Sequence, residues 1–583
     1  MAATKKLRQR IIAVFIALLL AQIGLVARLF HLQFVNYQTY IGFAKKQSQG
    51  NLLTLPVRGK IFDRNMRPLA ESIDTKSVVM RASQAHSESD SEPLQKVSSI
   101  LDIRAERFSP SDGEPSRLAY LKRKLTPEEL AKVQTLLAED GMRNAGIFLV
   151  PDTKRVYPQR TLASHLLGFT GLDENGYDNQ GLEGLEYHYN NVLRGNADRY
   201  SVPMDARRNS LKSWELELKN AGDDLVLTID KNIQYMVERE LETTFRDERA
   251  RHATVIVMNP HTGEILAMAN YPDFNPNEFA RYPQEYYKNR AVAWDYEPGS
   301  TFKVVQTAAA FEEGILSPND RYDNNDGFLR ADSRSPEEWK ASNLMSVEDI
   351  LVQSNNLGAM KISEQLGSQR FYDYIKAFGF GEASGVDLPG ELTGKLREPR
   401  DWSNLSLHSL SIGQEISVTP LQITAAFAVL ANGGMLYRPY IVKEIRDMNG
   451  VLVQRAEPTK TRRVISRKTA QMMREILANV VEHGTGKRAA ANGYRVAGKT
   501  GTAQKFNSND GGYSSTRLVT SFIGFAPAEY PVIVISAIVD EPAENEWGGT
   551  VAAPLFKRIV ERVLPYLDIP SDMKANEFMA FKK

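Results

Sequence analysis

At 583 residues the chain is too long for a single compact core, and usual domain sizes imply about two to four domains. Its 72 basic and 71 acidic residues nearly cancel, and the formal charge of +1 gives no electrostatic case for nucleic acid as a partner. The lack of cysteine excludes disulfides, zinc–thiolate sites and thiol nucleophiles, and neither a His-Glu-x-x-His helix nor a Gly-rich phosphate loop ending in Gly-Lys-Ser/Thr is present.

The first element is apolar. Lys5, Lys6, Arg8 and Arg10 precede a run from Ile11 to Ala27 that only Gln22 and Gly24 interrupt. With Arg28 snorkelling, the run extends through Phe30 and approaches the ~20 residues that span a bilayer. A cleaved signal would have an apolar region of about 7–15 residues and a small-x-small exit. This run leaves into Arg28-Leu-Phe-His31 instead. The expectation is an uncleaved single-pass anchor over 11–30 in the cytoplasmic (inner) membrane. Residues 1–10 then form a cytoplasmic tail, and the remainder lies outside the cytoplasm by the positive-inside rule.

Residues 36–220 mix short β-branched runs with polar interruptions and read as a separate N-terminal module. Ser83 to Pro93 has the composition of a solvated loop, and Thr126-Pro-Glu-Glu129 signals a helix start. The texture changes near Asp223. Leu225–Ile229 reads as a strand and Asn232–Arg246 as a helix. Ala253–Met258 and Glu264–Met268 read as a hairpin turning at Asn259-Pro-His-Thr-Gly263. Leu518–Phe525 and Val532–Val539 form a second apolar pair. Helical stretches such as Phe302–Phe311 and Leu421–Leu430 lie between the two strand groups. Strands from both ends with helices between them predict one α+β domain over 221–566, followed by a tail over 567–583.

Three short motifs carry the chemistry: Ser300-Thr-Phe-Lys303, Ser354-Asn-Asn356 and Lys499-Thr-Gly501. Singly they are weak, since Ser571-Asp-Met-Lys574 and Ser317-Pro-Asn319 fit the first two patterns. Order and context separate them. Ser571 follows every strand, whereas Ser300 follows Glu297-Pro-Gly299 and is expected to begin a helix ending near Gly314. On a helix, Lys303 sits one turn beyond Ser300 and can serve as its general base. A free lysine titrates at about 10.4, so burial and a second cation such as Lys499 must lower it. A helix start at Ser300 also aims a backbone N–H at a developing oxyanion. In this order and context the three are the signature of penicillin-interacting serine enzymes.

These residues resemble the penicillin-binding protein transpeptidases. Arg58-Gly-Lys-Ile-Phe-Asp-Arg-Asn65 with Pro68-Leu-Ala70 resembles the first signature of the class B, monofunctional group. Arg155-Val-Tyr-Pro158 with His165-Leu-Leu-Gly168 resembles the second, and Gly181-Leu-Glu-Gly-Leu-Glu186 the third. Two departures stand out: Met66 and Arg160 occupy positions where the family usually has glycine, which puts the turn geometry there in question. One anchor, a compact pedestal, and Ser521–Pro527 with Asp540-Glu-Pro542 and Ala552-Ala-Pro554 are most similar to the septal, FtsI-type group.

The resemblance implies a pedestal (dimerisation-type) domain and a transpeptidase domain whose antiparallel sheet lies between helical layers. It implies that Ser300 attacks the carbonyl between the last two D-alanines of a stem peptide, and that Lys303 takes the serine proton. Ser354 relays a proton to the leaving amine beside Lys499, and Asn356 bonds the substrate amide and positions Lys303. Thr500, Gly501 and Thr502 line the substrate strand. The two threonines bind the donor carboxylate, and the Thr502 N–H completes the oxyanion hole. A neighbouring stem peptide then accepts the acyl group, and β-lactams imitate the donor. No metal or organic cofactor is implied. The implied partners are peptidoglycan stem peptides, an FtsW-type glycosyltransferase and other divisome membrane proteins, with no nucleic acid. The alternatives are an elongation-type transpeptidase, a D,D-carboxypeptidase or β-lactamase-like hydrolase, a β-lactam sensor and a divisome scaffold. Lys505–Thr516, rich in Asn, Ser, Asp and Gly, reads as a mobile loop or a plain hairpin turn.

Overall fold

A computed structural model of the chain describes residues 2–41, 49–54, 57–81, 92–103, 118–139, 142, 147–172, 179–195, 198–203, 221–323, 327–329, 344–507 and 512–571. The expected loop at 83–93 lies outside these apart from Glu92 and Pro93, which begin a helix. The tip of the expected loop at 505–516 also lies outside them, as does the tail beyond Ser571. The chain divides into two units.

The smaller unit contains the apolar helix α1 (Ala2–Phe30), continued by one wider turn at His31–Val35. Residues Thr4–Val35 form a single helix long and apolar enough to cross a membrane, and its side chains are exposed along its length. The helix therefore begins before Ile11 and takes in the basic tail. The same unit contains a two-stranded antiparallel ribbon of β1 (Gln49–Thr54) with Asp198–Pro203.

The larger unit is built on two sheets. In the first, β2 (Ile61–Phe62) pairs with β3 (Pro68–Arg81), and β3 pairs with both β4 (Leu118–Lys122) and β5 (Ile147–Val156). The helices α2 (Glu92–Leu101) and α3 (Pro127–Leu137) cover this end with a small core of Val78, Met80, Leu94, Val97, Val133 and Leu136. Thr126 caps α3 with a reciprocal capping box to Glu129, as its sequence predicts. The same sheet continues past residue 220. Strand β2 runs parallel to β6 (Asp224–Leu227), which pairs in turn with Val442–Arg446 and, through it, Leu452–Arg455.

The second sheet has five antiparallel strands. Helix α4 (Lys231–Asp247), capped by Asp230, leads into β7 (His252–Met258) and β8 (Ile265–Tyr271). The remaining three strands come from the far end of the chain: β9 (Ala497–Asn507), β10 (Gly512–Ala526) and β11 (Ile533–Asp540), in the order β8-β7-β11-β10-β9. The two-residue side-chain period splits each strand between two cores. Val255, Val257, Ala537 and Val539 pack with α4 and the C-terminal helix Ala552–Tyr566. Ile256, Met258, Val534 and Ile538 pack with the central helices. Both faces are covered, which explains why these strands read as unbroken apolar runs. Strand β9, carrying Lys499 to Thr502, is the sheet's edge.

Candidate active site

The nucleophile candidate does not begin an α-helix. Gly299–Phe302 form a tight 3-10 turn, and the α-helix starts at Lys303 and ends at Glu312. The tighter turn arises because Gly299 takes φ +56° and its N–H is already bonded to Gly413 O at 3.1 Å. The Lys303 N–H closes the turn on Ser300 O. Gly413 is the prop beneath it: at φ +76°, a Cβ there would lie 2.2 Å from Gly299 O. Ser300 itself is half-buried.

Lys303 is 1% exposed and Lys499 fully buried. Two short bonds hold the Lys303 amine, to Asn356 Oδ1 at 2.6 Å and to Ser354 O at 2.7 Å, with Ser354 Oγ at 3.5 Å. Lys499 Nζ donates to the same Ser354 Oγ at 2.9 Å and to Thr500 O at 3.2 Å. The Ser354 hydroxyl thus joins Lys303 and Lys499, Asn356 joins them through the Lys303 amine, and Ser300 shares a turn with Lys303. Burial pushes the Lys303 amine down to about 7. Lys499 is held well below the ordinary lysine value by burial and then by the nearby Lys303 charge. A neutral lysine has two N–H groups and one lone pair. Asn356 and the Ser354 carbonyl take up both N–H groups, leaving the lone pair of Lys303 available as a proton acceptor.

The Ser-x-Asn spacing also has a local cause. Ser354 adopts a left-handed conformation (φ +58°) just after the helix Val347–Val352, and Asn355 caps the next helix, Asn356–Leu366, by accepting from Gly358 N at 2.7 Å. The middle residue turns the chain, so its two neighbours both serve the site.

Thr500, Gly501 and Thr502 lie on β9 opposite Phe522, Ser521 and Thr520 of β10. Gly501 must lack a side chain, because a Cβ there would lie 2.4 Å from Ser521 Oγ and 2.8 Å from Thr301 Cγ2. The decoy Ser571 lies beside Gly493, in the segment leading into β9.

Sequence reasoning missed four contributors. Glu297 accepts from Glu415 N at 3.0 Å and from the Tyr513 hydroxyl at 3.2 Å, and burial raises its carboxyl. It therefore ties both the segment after Gly413 and the β9–β10 hairpin to the chain just before Ser300. Gly413 props the turn, while Thr485 and Gly548 touch the hydroxyls of Thr500 and Thr502. The glycines flanking Thr485 and the Gly548-Gly549 pair were visible signals, but glycine alone does not say what it lies against.

A half-buried serine on a tight turn, two buried lysines held below their ordinary value, one of them on an edge strand, and a second serine bridging the two amines from a helix–helix turn define a serine acyltransferase site. The family model described as "Penicillin binding protein transpeptidase domain" matches residues 253–561, and "Penicillin-binding Protein dimerisation domain" matches 53–227. The chain belongs to the penicillin-binding protein transpeptidases, in the class B arrangement of a dimerisation domain followed by a catalytic one. It is an acyltransferase of cell-wall synthesis. It is 34% identical to stage V sporulation protein D of Bacillus subtilis, over 96% of this chain and 86% of that protein. Against peptidoglycan D,D-transpeptidase FtsI of Escherichia coli the identity is 29%, over 88% and 84% respectively. The crystal structure of penicillin-binding protein 3 from Mycobacterium tuberculosis complexed with aztreonam matches with a TM-score of 0.66 and 27% identity, covering 89% of this chain and 98% of that one.

Proposed function

We propose that the chain cross-links peptidoglycan at the division septum as a D,D-transpeptidase, through an ester on Ser300. The observation that carries this reading is the Lys303 amine, buried one 3-10 turn from Ser300, pushed to about 7 and with both amine protons engaged. Ser300 Oγ attacks the penultimate D-alanine carbonyl as its proton passes to Lys303 Nζ. The oxyanion is held by backbone N–H groups of Ser300 and Thr502. Collapse breaks the C–N bond, and the departing D-alanine amine takes a proton through Ser354 Oγ, which Lys499 supports. An amine of a second stem peptide then attacks the ester and frees Ser300. Thr500 and Thr502 hold the donor carboxylate, and Gly501 lets the strand pack tightly enough to present them. β-Lactams enter as donor mimics.

By the same reading, α1 anchors residues 11–30 in the cytoplasmic membrane, with residues 1–10 inside and the catalytic domain outside. Residues 36–220 act as pedestal and 221–566 as catalyst. A lipid-linked-glycan polymerase of the FtsW type and other division proteins are its membrane partners. FtsI among the relatives supports the septal assignment.

The test is intact mass spectrometry of the full chain in detergent after incubation with a labelled penicillin. A stable adduct on the wild type, absent from Ser300→Ala, is the expected result. Penicillin consumed without an adduct would replace acyl transfer with rapid hydrolysis, and the absence of both adduct and consumption would refute the nucleophile.

A further inference from the structure

The two threonine hydroxyls assigned to the substrate carboxylate each have a partner from outside the three motifs. Thr485 Oγ1 lies 2.8 Å from Thr500 Oγ1, and the Gly548 N–H donates to Thr502 Oγ1 at 3.1 Å. Both partners are held firmly by backbone. Thr485 lies in the His483-Gly-Thr-Gly486 turn that ends the helix Arg467–Glu482. Its N–H donates to Val352 O at 3.2 Å, two residues before Ser354. A Cβ on Gly484 would lie 2.2 Å from that same carbonyl, and one on Gly549 2.9 Å from Thr485 O. Gly548 is wedged likewise, 2.2 Å from Gly501 O by the same measure. Thr485 is therefore fixed to the Ser354 segment on one side and touches the Lys499 strand on the other.

A hydroxyl has one proton and two lone pairs. The Gly548 bond can run only one way, since an N–H only donates. It fills a lone pair of Thr502 and leaves that hydroxyl's proton for whatever lies in the cleft. Between Thr485 and Thr500 either oxygen can donate. An anion in front of Thr500 decides the direction. Thr500 must then donate to the anion, so Thr485 must donate to Thr500. Donors aligned in series polarise one another and strengthen the terminal bond.

We propose that Thr485 is a positioning residue that donates to Thr500 and turns its hydroxyl proton onto the substrate's carboxylate, as Gly548 does for Thr502. This rests on the reading of Thr500 and Thr502 as the carboxylate cradle. It assigns part of the enzyme's selectivity for an anionic donor terminus to a turn outside the catalytic motifs.

The test compares benzylpenicillin with its uncharged methyl ester, following the acylation rate of the full chain in detergent by intact mass. Thr485→Val is expected to slow benzylpenicillin about fivefold to tenfold, the size of a weakened charge-assisted hydrogen bond, and to leave the ester unchanged. Thr485→Ser keeps the hydroxyl and is expected within about twofold of wild type on both probes. In a Thr500→Val background, Thr485→Val is expected to add nothing. Equal slowing on both probes, no rescue by serine, or full slowing in the Thr500→Val background would each overturn the assignment while leaving the acyl-enzyme intact. Wild-type protein untouched by either probe would sink the transpeptidase reading and this assignment with it.

Discussion

With Lys303 as the proposed general base, its amine sets how acylation responds to pH. Its amine titrates at about 7 in the folded protein, displaced downward from the usual lysine value by burial. A lowered base is protonated below its own pKa and free above it. Acylation by a penicillin should therefore rise about tenfold per pH unit below about 7 and level off above it, measured as the second-order rate between pH 5 and 9. Lys303→Ala should cost about 10²–10⁴-fold at pH 7.5, the usual range for a lost general base. A profile flat through pH 7 would remove Lys303 from that role. The residues proposed for this centre could be picked out of the sequence because each motif is short, contiguous and chemically pointed. Thr485, Glu297, Gly413 and Gly548 were not, because their contribution is contact across long stretches of chain. Glu297 meets Glu415, Gly413 meets Gly299, and Thr485 meets Thr500 only once the sheet and its helices assemble.

Turns show where local sequence and family habit part company. Met66 and Arg160 replace the usual glycines, yet both keep a left-handed backbone, at φ +61° and +56°. The turn at Met66 is held by Asp63, fully buried, whose Oδ1 accepts from Asn65 N at 2.9 Å and Arg67 N at 2.8 Å, while Asp63 N donates to Arg67 O. Those bonds impose the conformation whatever side chain follows Asn65. A non-glycine residue there costs about 1–2 kcal/mol of strain, against roughly 0.4–1 kcal/mol of extra chain entropy that glycine would lose on folding. Met66→Gly should be neutral to slightly stabilising. Met66→Val, β-branched at positive φ, should lose about 1–2 kcal/mol, the two read side by side as denaturant midpoints at equal m-value. A loss with glycine as large as with valine would mean the Met66 side chain, half exposed, matters more than the backbone. Several elements of the catalytic part, among them Asn232–Arg246, Ala253–Met258 and Leu421–Leu430, were legible by periodicity to within a residue at each end, whereas the helices Arg467–Glu482 and Ala552–Tyr566 were not read. The 3-10 turn at Ser300 was not legible, since it depends on the bond from Gly299 N–H to Gly413 O, a partner far along the chain that Gly299-Ser-Thr-Phe alone does not reveal.

At the scale of the whole larger unit, the pedestal and the catalytic part share structure that a linear reading separates at residue 220. One sheet holds β2 beside β6 in parallel. One apolar core contains Ile61, Leu69, Leu166 and Leu185 together with Val304, Ile423 and Ile538. The three signature segments of the pedestal meet in a buried ionic knot. Glu186, fully buried, binds Arg58 Nε at 2.5 Å and Arg155 Nε at 2.6 Å, with the Tyr157 hydroxyl at 3.2 Å. Burial pushes the Glu186 carboxyl up, but the two guanidinium groups outweigh it and hold it below the usual carboxylate value. Nearby, Tyr157 exchanges backbone bonds with the Asn277 side chain, and the Tyr189 hydroxyl donates to Asp387 at 3.0 Å. Removing Glu186 would leave two buried guanidiniums facing each other, and breaking a buried pair from one side typically costs about 3–5 kcal/mol. Because the core is continuous, that loss should reach the catalytic part. All five tryptophans lie at residue 214 or beyond, so their fluorescence reports on the chain after the pedestal signatures. Glu186→Ala should lower the tryptophan-detected unfolding midpoint together with the temperature at which penicillin acylation is lost. If the fluorescence midpoint stayed at the wild-type value while circular dichroism showed an earlier transition, the pedestal would be unfolding alone and the shared core would not couple the two parts.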